Sequence, residues 1–470
     1  MAESFTGKRY TVMGLGTRGG GVGVARFLAE RGAIVTVTDM QPAEALEEPM
    51  RRLAGLPIRY VLGGHDERDF TPAGADVVVR NPGVRRSAPL LQLARSHAVR
   101  VEMEMSLFFR ACPAPIIGIT GTKGKTTTAT LCAGMLAEWD DRTVMAGNMG
   151  VSAVEALCRM TSETPVVIEL SSWQLEALAE HGLAPRIAVL TNISEDHLDT
   201  YDDFADYAQT KRSITTHQGA DDLLIVNADD AEASPAAAAT KARVLFFGRH
   251  DQGGEGVWCD GAGVTLRHGG NQSHLELPPN SSLAGPHQAA NVAAAVAAAS
   301  LRGAPLDAIA RGLARFAGVK DRLEPVAEIA GVHYVNDTAA TAPAATVAAL
   351  ERFAGQRVHL IAGGAAKRTD LTPLVNAARR WAHVVYLLEG SATSGLREQL
   401  VAEGVHTTGS FRSMDDAVRS AQAAALTGDV VLLSPGCASF GLFRDEFERG
   451  ERFRAAVAGV ERAASGVRIQ

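Results

Sequence analysis

The run Gly118-Ile-Thr-Gly-Thr-Lys-Gly-Lys-Thr126 carries the plainest chemistry in this chain. Its glycines leave backbone N–H groups open to an anion, Lys125 adds a mobile positive charge, and the Thr126 hydroxyl is a hard oxygen ligand for Mg²⁺. An apolar strand-like stretch, Ala114 to Ile119, precedes it, and a helix-like stretch, Thr126 to Glu138, follows. Strand, glycine loop and helix N-terminus together make a phosphate cradle, so a nucleoside triphosphate is the expected ligand. Gly121, Thr122, Lys123, Gly124 and Thr127 would line that cradle with Lys125 and Thr126. Five residues separate Gly118 from Gly124, where the usual loop has four, so this is a variant of the pattern.

Further reactive side chains follow the loop. Glu169 ends the apolar run that starts at Val166, and a carboxylate at the C-terminal end of a parallel strand faces the crevice where Mg²⁺ is needed. His197 follows the next strand, beside Glu195 and Asp196; a metal-site role and an ordinary structural role both remain open for it. Lys211 lies on the helix-like stretch Phe204 to Ile214 and reads as a surface lysine. Upstream, Gly14-Leu-Gly16-Thr-Arg-Gly19 matches the dinucleotide fingerprint, with Asp39 ending the second strand where an acidic side chain meets a ribose hydroxyl. Taken alone, that fingerprint makes NAD the default ligand.

The elements that must hold these residues fall into three segments, expected as domains at 1–112, 113–317 and 318–470. In the first, strands at Arg9 to Met13, Ile34 to Thr38 and Asp76 to Val79 alternate with a helix at Val22 to Arg31, which is βαβ patterning and a parallel sheet. The second adds strands at Val166 to Leu170, Ile187 to Asn192 and Leu223 to Asn227. An antiparallel stretch is expected from Val244 to Leu277, then an alanine-rich helix from Pro286. The third, with strands at His359 to Ala362, Val384 to Leu388 and Val430 to Leu433, reads as another doubly wound unit. The fold class is therefore α/β: a Rossmann-like N-terminal domain, a P-loop-type centre with a mostly parallel sheet, and a Rossmann-like C-terminal domain.

Composition agrees with that reading. The chain has 470 residues, 46% hydrophobic and 21% charged, which is ordinary globular material for about three domains. A net charge of −7 without long Lys/Arg runs gives no footprint for nucleic acid. The 5 cysteines are scattered with no Cys-x-x-Cys pair, which fits a reducing compartment. Lys8 and Arg9 stand where a signal peptide needs an apolar core, and Ala289 to Leu301 is too short to span a bilayer. Cytoplasmic residence, no membrane partner and a monomeric state are the expectations.

Taken together, the motifs resemble the muramyl (Mur) ligase family. The resemblance rests on the 118–126 loop, Gly-Asn-Met-Gly at 147–150 and Glu-Leu-Ser-Ser-Trp-Gln-Leu-Glu at 169–176. It also rests on Glu-Asp-His-Leu-Asp at 195–199, Asn-Ala-Asp-Asp at 227–230 and Leu-Ser-Pro-Gly-Cys-Ala-Ser at 433–439. It spans essentially the whole chain and implies ATP-dependent amide synthesis. The acceptor would be UDP-N-acetylmuramoyl-L-alanine, activated as an acyl phosphate and attacked by the amine of D-glutamate; a related ligase using L-glutamate or another amino acid is the alternative.

The resemblance further implies roles for single residues. Lys125 would bind the β/γ-phosphates; Thr126 and Glu169 would ligate Mg²⁺, with His197 at a second metal site. Lys211 would be carbamylated into an anionic oxygen ligand, against its reading as a surface lysine. Asn291 would face the adenine, with Arg322 and Asp337 closing over the nucleotide. Gly14, Gly16, Thr17, Arg18, Asp39, Asn81 and Gly83 would hold UDP rather than NAD, and Asn148 would touch nucleotide or substrate. Thr341, Lys367 and Ser439 would meet the glutamate. Departures from the family pattern gather at that end: Ala339 replaces a lysine, Ala365 an aspartate and Glu446 an aromatic residue, while Gln288 replaces an asparagine beside the nucleotide.

Overall fold

The structure, a computed structural model, describes residues 4–16, 20–147, 152–195, 201–278, 283, 286–366 and 369–464, the side chains of 286 and 287 apart. Its internal contacts divide it into two compact units, one through Phe316 and one from Ala317. The first unit holds two sheets and the second holds one.

The N-terminal sheet contains β1 (Arg9–Met13), β2 (Ile34–Asp39), β3 (Ile58–Leu62), β4 (Val77–Arg80) and β5 (Arg100–Glu102). They run parallel in the order β3-β2-β1-β4-β5. The order reverses between β1 and β4, so the loops leaving those two strands open a crevice at their C-terminal ends. The Gly14 loop and Asn81-Pro-Gly83 are those two loops. Strands β3 and β5 lacked a readable signal, because Ile58–Leu62 is half-buried with Arg59 exposed and β5 is three residues long.

The second sheet contains β6 (Ile116–Thr120), β7 (Val144–Gly147), β8 (Val166–Glu169), β9 (Ile187–Leu190), β10 (Leu223–Asn227), β11 (Arg243–Gly248), β12 (Gly256–Cys259), β13 (Gly263–His268) and β14 (Asn271–Glu276). Their order is β14-β13-β12-β11-β10-β9-β6-β8-β7. The stretch expected to be antiparallel from Val244 is so only in part: β11 and β12 continue the parallel ladder, and reversal begins at β13. The reason lies in β11, where buried Leu245 and Phe247 and partly buried Phe246 pair with the equally apolar β10. Behind the sheet runs the helix Pro286–Arg302, whose residues Val292 to Ala299 are fully buried. A helix apolar all round is a core helix, and its alanines let it lie close on the helix Lys125–Ala137.

One apolar cluster joins both sheets of this unit, from Tyr10, Val12 and Leu28 through Leu107 and Phe108 to Ile116, Ile168 and Leu190. Ion pairs cross the same seam: Arg80 with Glu176, Arg95 with Glu180, and Arg86 with Asp206.

The second unit is built on β15 (Glu324–Ile329), β16 (Val332–Asn336), β17 (Val358–Gly363), β18 (Ala382–Leu388), β19 (Thr407–Phe411) and β20 (Val430–Leu433). The order is β15-β16-β20-β17-β18-β19, parallel except for the β15–β16 hairpin at one edge. Among the described residues no helix is long and apolar enough to cross a membrane.

Candidate active site

The phosphate-type loop leaves β6 at Thr120 and enters the helix Lys125–Ala137 through Gly124, which caps it in the left-handed region at φ 82°. Glycine is required twice for steric reasons. A Cβ at Gly121 would stand 2.0 Å from Thr191 Oγ1, and one at Gly124 would stand 2.2 Å from Asn291 Oδ1. The strand next door holds the loop in shape. Thr122 N–H donates to the Asn192 carbonyl (2.8 Å) and Lys123 N–H to Asn192 Oδ1 (2.8 Å), while Asn192 Nδ2 and Thr191 Oγ1 both donate to the Lys123 carbonyl. Lys125 Nζ donates to the Thr122 carbonyl at 2.8 Å. Thr126 begins the helix beside it, partly exposed, and Thr127 packs below, buried.

Glu169 closes β8, and the register sets it opposite Ile119 of β6 on one side and Gly147 of β7 on the other. Its residue is 2% exposed. Chain direction is enforced immediately afterwards by a capping box: Ser171 Oγ accepts from Gln174 N–H (3.3 Å) and Gln174 Oε1 accepts from Ser171 N–H (2.8 Å). Part of the Glu-Leu-Ser-Ser-Trp-Gln string is therefore helix-start grammar, which holds the strand end at Glu169 in place.

Lys211 overturns its reading as a surface residue. It is 2% exposed, with Nζ donating to Thr120 Oγ1 at 3.4 Å and lying 5.5 Å from the Tyr207 ring. Tyr207 and Lys211 are one turn apart on the helix Phe204–Arg212, so they share a face. The Tyr207 hydroxyl lies 3.2 Å from Thr122 Oγ1, and Thr122 Oγ1 in turn donates to the Ser194 carbonyl. Thr191, Asn192, Ser194 and Tyr207 were missed by motif reading. The Thr-Asn ending of the strand at 187–192 was their one legible sign.

Asn291 sits against Gly124 from the alanine-rich helix, accepting from Thr128 Oγ1 (3.4 Å) and donating to Gln288 Oε1 (3.1 Å). Thr17, Arg18, Asn148, His197 and Lys367 lie outside the described residues.

The first glycine loop is organised differently. Asp39 Oδ2 accepts from Leu15 N–H (2.9 Å) and Gly16 N–H (3.3 Å), and Oδ1 accepts from Gln41 N–H (2.9 Å). The close helix approach expected of a fingerprint glycine is made by Gly21, where a Cβ would meet the Leu15 carbonyl at 2.4 Å. Asn81 donates to the Gly14 carbonyl (3.4 Å) and accepts from Gly83 N–H, which ties the two crevice loops together.

In the second unit Asp337 follows β16 and is 5% exposed. It accepts from Ser434 Oγ (2.7 Å) and Leu323 N–H (3.2 Å). Burial outweighs those bonds and the nearby Arg322 charge, pushing its pKa up to about 6. Arg322 itself is exposed and stands between two residues of left-handed backbone, Asp321 at φ 66° and Leu323 at φ 42°. Such a conformation in a leucine is rare and costs of the order of 1–3 kcal/mol, a price usually met at binding sites. Ser439 is buried and Thr341 partly exposed, on the loops that follow β20 and β16. A bridge between Ala365 and Ala438 joins the loop after β17 to the first of these.

Among the described residues no cluster of three His, Cys, Asp or Glu side chains forms a metal cage. The donors present still suit magnesium, which binds nucleotide phosphates through one or two protein oxygens and keeps its waters. The Thr126 hydroxyl, in the first turn of the helix after β6, and the Glu169 carboxylate, at the end of the neighbouring β8, are such oxygens.

Three family models match in order along the chain: the Mur ligase MurD-like N-terminal domain at 8–102, the Mur ligase middle domain at 119–299, and the Mur ligase glutamate ligase domain at 321–437. A UDP-N-acetylmuramoylalanine–D-glutamate ligase of Roseiflexus sp. (strain RS-1) is 46% identical over 96% of this chain and 98% of its own. The enzyme of the same name from Geobacter metallireducens is 39% identical, covering 96% and 97%. Among solved structures, the UDP-N-acetylmuramate-alanine ligase MurC of Thermotoga maritima aligns with a TM-score of 0.60 at 20% identity, over 96% of this chain and 100% of that one, a likeness of fold.

Proposed function

The chain belongs to the Mur ligase family, and from that premise we propose that it joins D-glutamate to UDP-N-acetylmuramoyl-L-alanine with cleavage of ATP, in peptidoglycan precursor synthesis. The observation that carries the reading is the end-to-end match to relatives bearing that activity in their names. The buried lysine beside the phosphate loop supports it from the structure.

In this reading a carboxylate oxygen of the acceptor attacks the γ-phosphorus, and the bond to the ADP oxygen breaks, giving an acyl phosphate. The amine of D-glutamate then adds to the acyl carbon, loses a proton, and the tetrahedral species expels phosphate to leave the amide. Two anions must meet in the first step, so the chain has to supply positive charge and directed N–H groups. The 121–124 loop and the N-terminal amides of the helix it opens, with Thr127, cradle the triphosphate, the Thr122 and Lys123 N–H groups being donated to Asn192, and Lys125 leaves the Thr122 carbonyl for the β/γ-phosphates. Thr126 and Glu169 would hold Mg²⁺, which would supply further charge neutralisation. A second Mg²⁺ would engage His197 and a carbamylated Lys211. Asn291, which sits against Gly124, would face the adenine, and Arg322 and Asp337 would also bind the nucleotide. Gly14, Gly16, Thr17, Arg18, Asp39, Asn81, Gly83 and Asn148 hold the UDP-sugar, and Thr341, Lys367 and Ser439 the incoming amino acid.

The domain division 1–112, 113–317 and 318–470 belongs to the same proposal, supported by three separate sheets. So do a cytoplasmic location and a monomeric state. The test is phosphate release from ATP with UDP-N-acetylmuramoyl-L-alanine and a panel of amino acids. D-Glutamate should give the highest kcat/KM, well above L-glutamate; equal rates with both, or a preference for another amino acid, would refute the assignment. The panel bears directly on Ala339, Ala365 and Glu446, where family side chains are replaced.

A further inference from the structure

Glu104 has no part in the chemistry above, yet it is a partly buried carboxyl at a junction of three elements. It opens the helix Glu104–Ala111, where a helix N-terminus favours an acidic group. Its Oε1 accepts from Ser152 Oγ at 2.6 Å and from Val154 N–H at 3.4 Å. Ser152 and Val154 lead out of the 147–150 motif into the short helix Val154–Arg159. The other oxygen faces Gly20, where a Cβ would lie 3.5 Å from Oε2. Gly20 is the first residue of the helix Gly20–Glu30, which the Gly14 loop feeds.

That helix is pressed onto the same spot. At Gly23 a Cβ would stand 2.1 Å from Ser152 Oγ, so only glycine fits there. One turn further on, Arg26 forms an ion pair with Glu155 and donates to the Arg52 carbonyl. Burial raises the Glu104 pKa, against the pull of its bonds from Ser152 and Val154.

We propose that Glu104 is a positioning residue that sets the spacing between the start of the helix Gly20–Glu30 and the Ser152–Val154 segment, and so tunes binding of the UDP-sugar. The inference rests on the assignment of the Gly14 loop and the 147–150 motif to that substrate. The carboxyl bonds the Ser152–Val154 segment through Oε1 and lies against Gly20 on its other side, so its loss loosens one from the other without removing a ligand contact. Nucleotide binding, built on β6 and β9, should be untouched.

The test compares Glu104→Ala, Glu104→Gln and Ser152→Ala with the parent chain, in full-length protein, by steady-state kinetics and by UDP titration calorimetry. Glu104→Ala should raise KM for UDP-N-acetylmuramoyl-L-alanine and Kd for UDP by about tenfold or more, the worth of a hydrogen bond to a charged or buried carboxyl, with KM for ATP within about twofold. Ser152→Ala should shift the same two constants less. Glu104→Gln, which keeps an acceptor toward Ser152 and Val154, should restore most of the affinity. A purely structural role would lower Tm and leave both KM values in proportion, and that result overturns the inference. Equal rises in KM for ATP and the UDP-sugar overturn it too. If the parent chain itself releases no phosphate with this acceptor, the functional assignment fails instead, and UDP calorimetry on the same variants still decides whether Glu104 governs the loop pair.

Discussion

Two glycine loops in the same unit look alike in sequence and are finished in opposite ways. The Gly14 loop is closed by a charged group: Asp39 at the end of the adjacent strand takes up the N–H groups of Leu15 and Gly16. The 121–124 loop is held by neutral groups, Thr191 and Asn192 gripping the Thr122 amide, the Lys123 amide and the Lys123 carbonyl. The difference matters for ligands. A loop whose amides are answered by a carboxylate presents a preset shape with little positive field. A loop whose braced amides meet only a neutral asparagine keeps its positive field, its helix-terminal N–H groups and a lysine for a highly charged guest.

The sharpest way to separate the two is to disarm one. Lys125→Ala should lower kcat by about 10²–10³-fold, as expected for loss of one charged donor to the transferring phosphoryl group. UDP-sugar binding, measured by calorimetry, should persist; a parallel loss of both in folded protein would mean that the loops are not independent sites. Lys211→Ala should be nearly as damaging, with partial recovery on adding small carboxylates that stand in for a carbamate oxygen. Full activity without any additive would remove Lys211 from the chemistry.

The opposite disarmament is Asp39→Ala. It strips three backbone N–H groups of one buried acceptor, each such bond being worth about 1.5–3 kcal/mol. Relaxation of the loop toward water offsets part of this, so a net loss of about 2 kcal/mol in denaturant unfolding is expected, together with weaker UDP binding and unchanged KM for ATP. Unaltered stability would show that those amides find other partners readily.

Asp337 supplies the contrast for Asp39, since it is buried with one N–H and one hydroxyl donor rather than three amides. Its folded pKa, pushed up to about 6 from an ordinary 3.8, means that the folded state binds the proton more tightly than the unfolded chain does. Stability from this group is therefore full below about pH 4 and falls as pH rises toward 6, by about 3 kcal/mol at most. Asp337→Asn should raise Tm at pH 8 and leave it unchanged near pH 4, whatever it does to turnover. A Tm gain independent of pH would contradict that origin.

Much of this arrangement is written locally and was legible. Strand, glycine loop and helix start are consecutive in sequence, so the 118–128 cradle and the parallel sheets could be read from residue order. Glu169 was legible because an acidic side chain closing an apolar strand has few places to go. Lys211 was not. Its burial depends on which face of the helix Phe204–Arg212 meets β6, and that is decided by packing of Tyr207 and Ala208 rather than by anything beside Lys211. The braces at Thr191 and Asn192 were hidden for the same reason, since they act on residues about seventy positions away. Strand β11 misled because glycines that follow it suggested a hairpin, while its own Leu-Phe-Phe core paired forward along β10.

The face shared by Tyr207 and Lys211 has a mechanical corollary. One helical turn touches Thr122 through a phenol and Thr120 through an amine, so the loop and the lysine form a rigid triangle. A guest that presses on the loop therefore meets resistance from two side chains of the same helical turn at once, the phenol against Thr122 and the ammonium against Thr120.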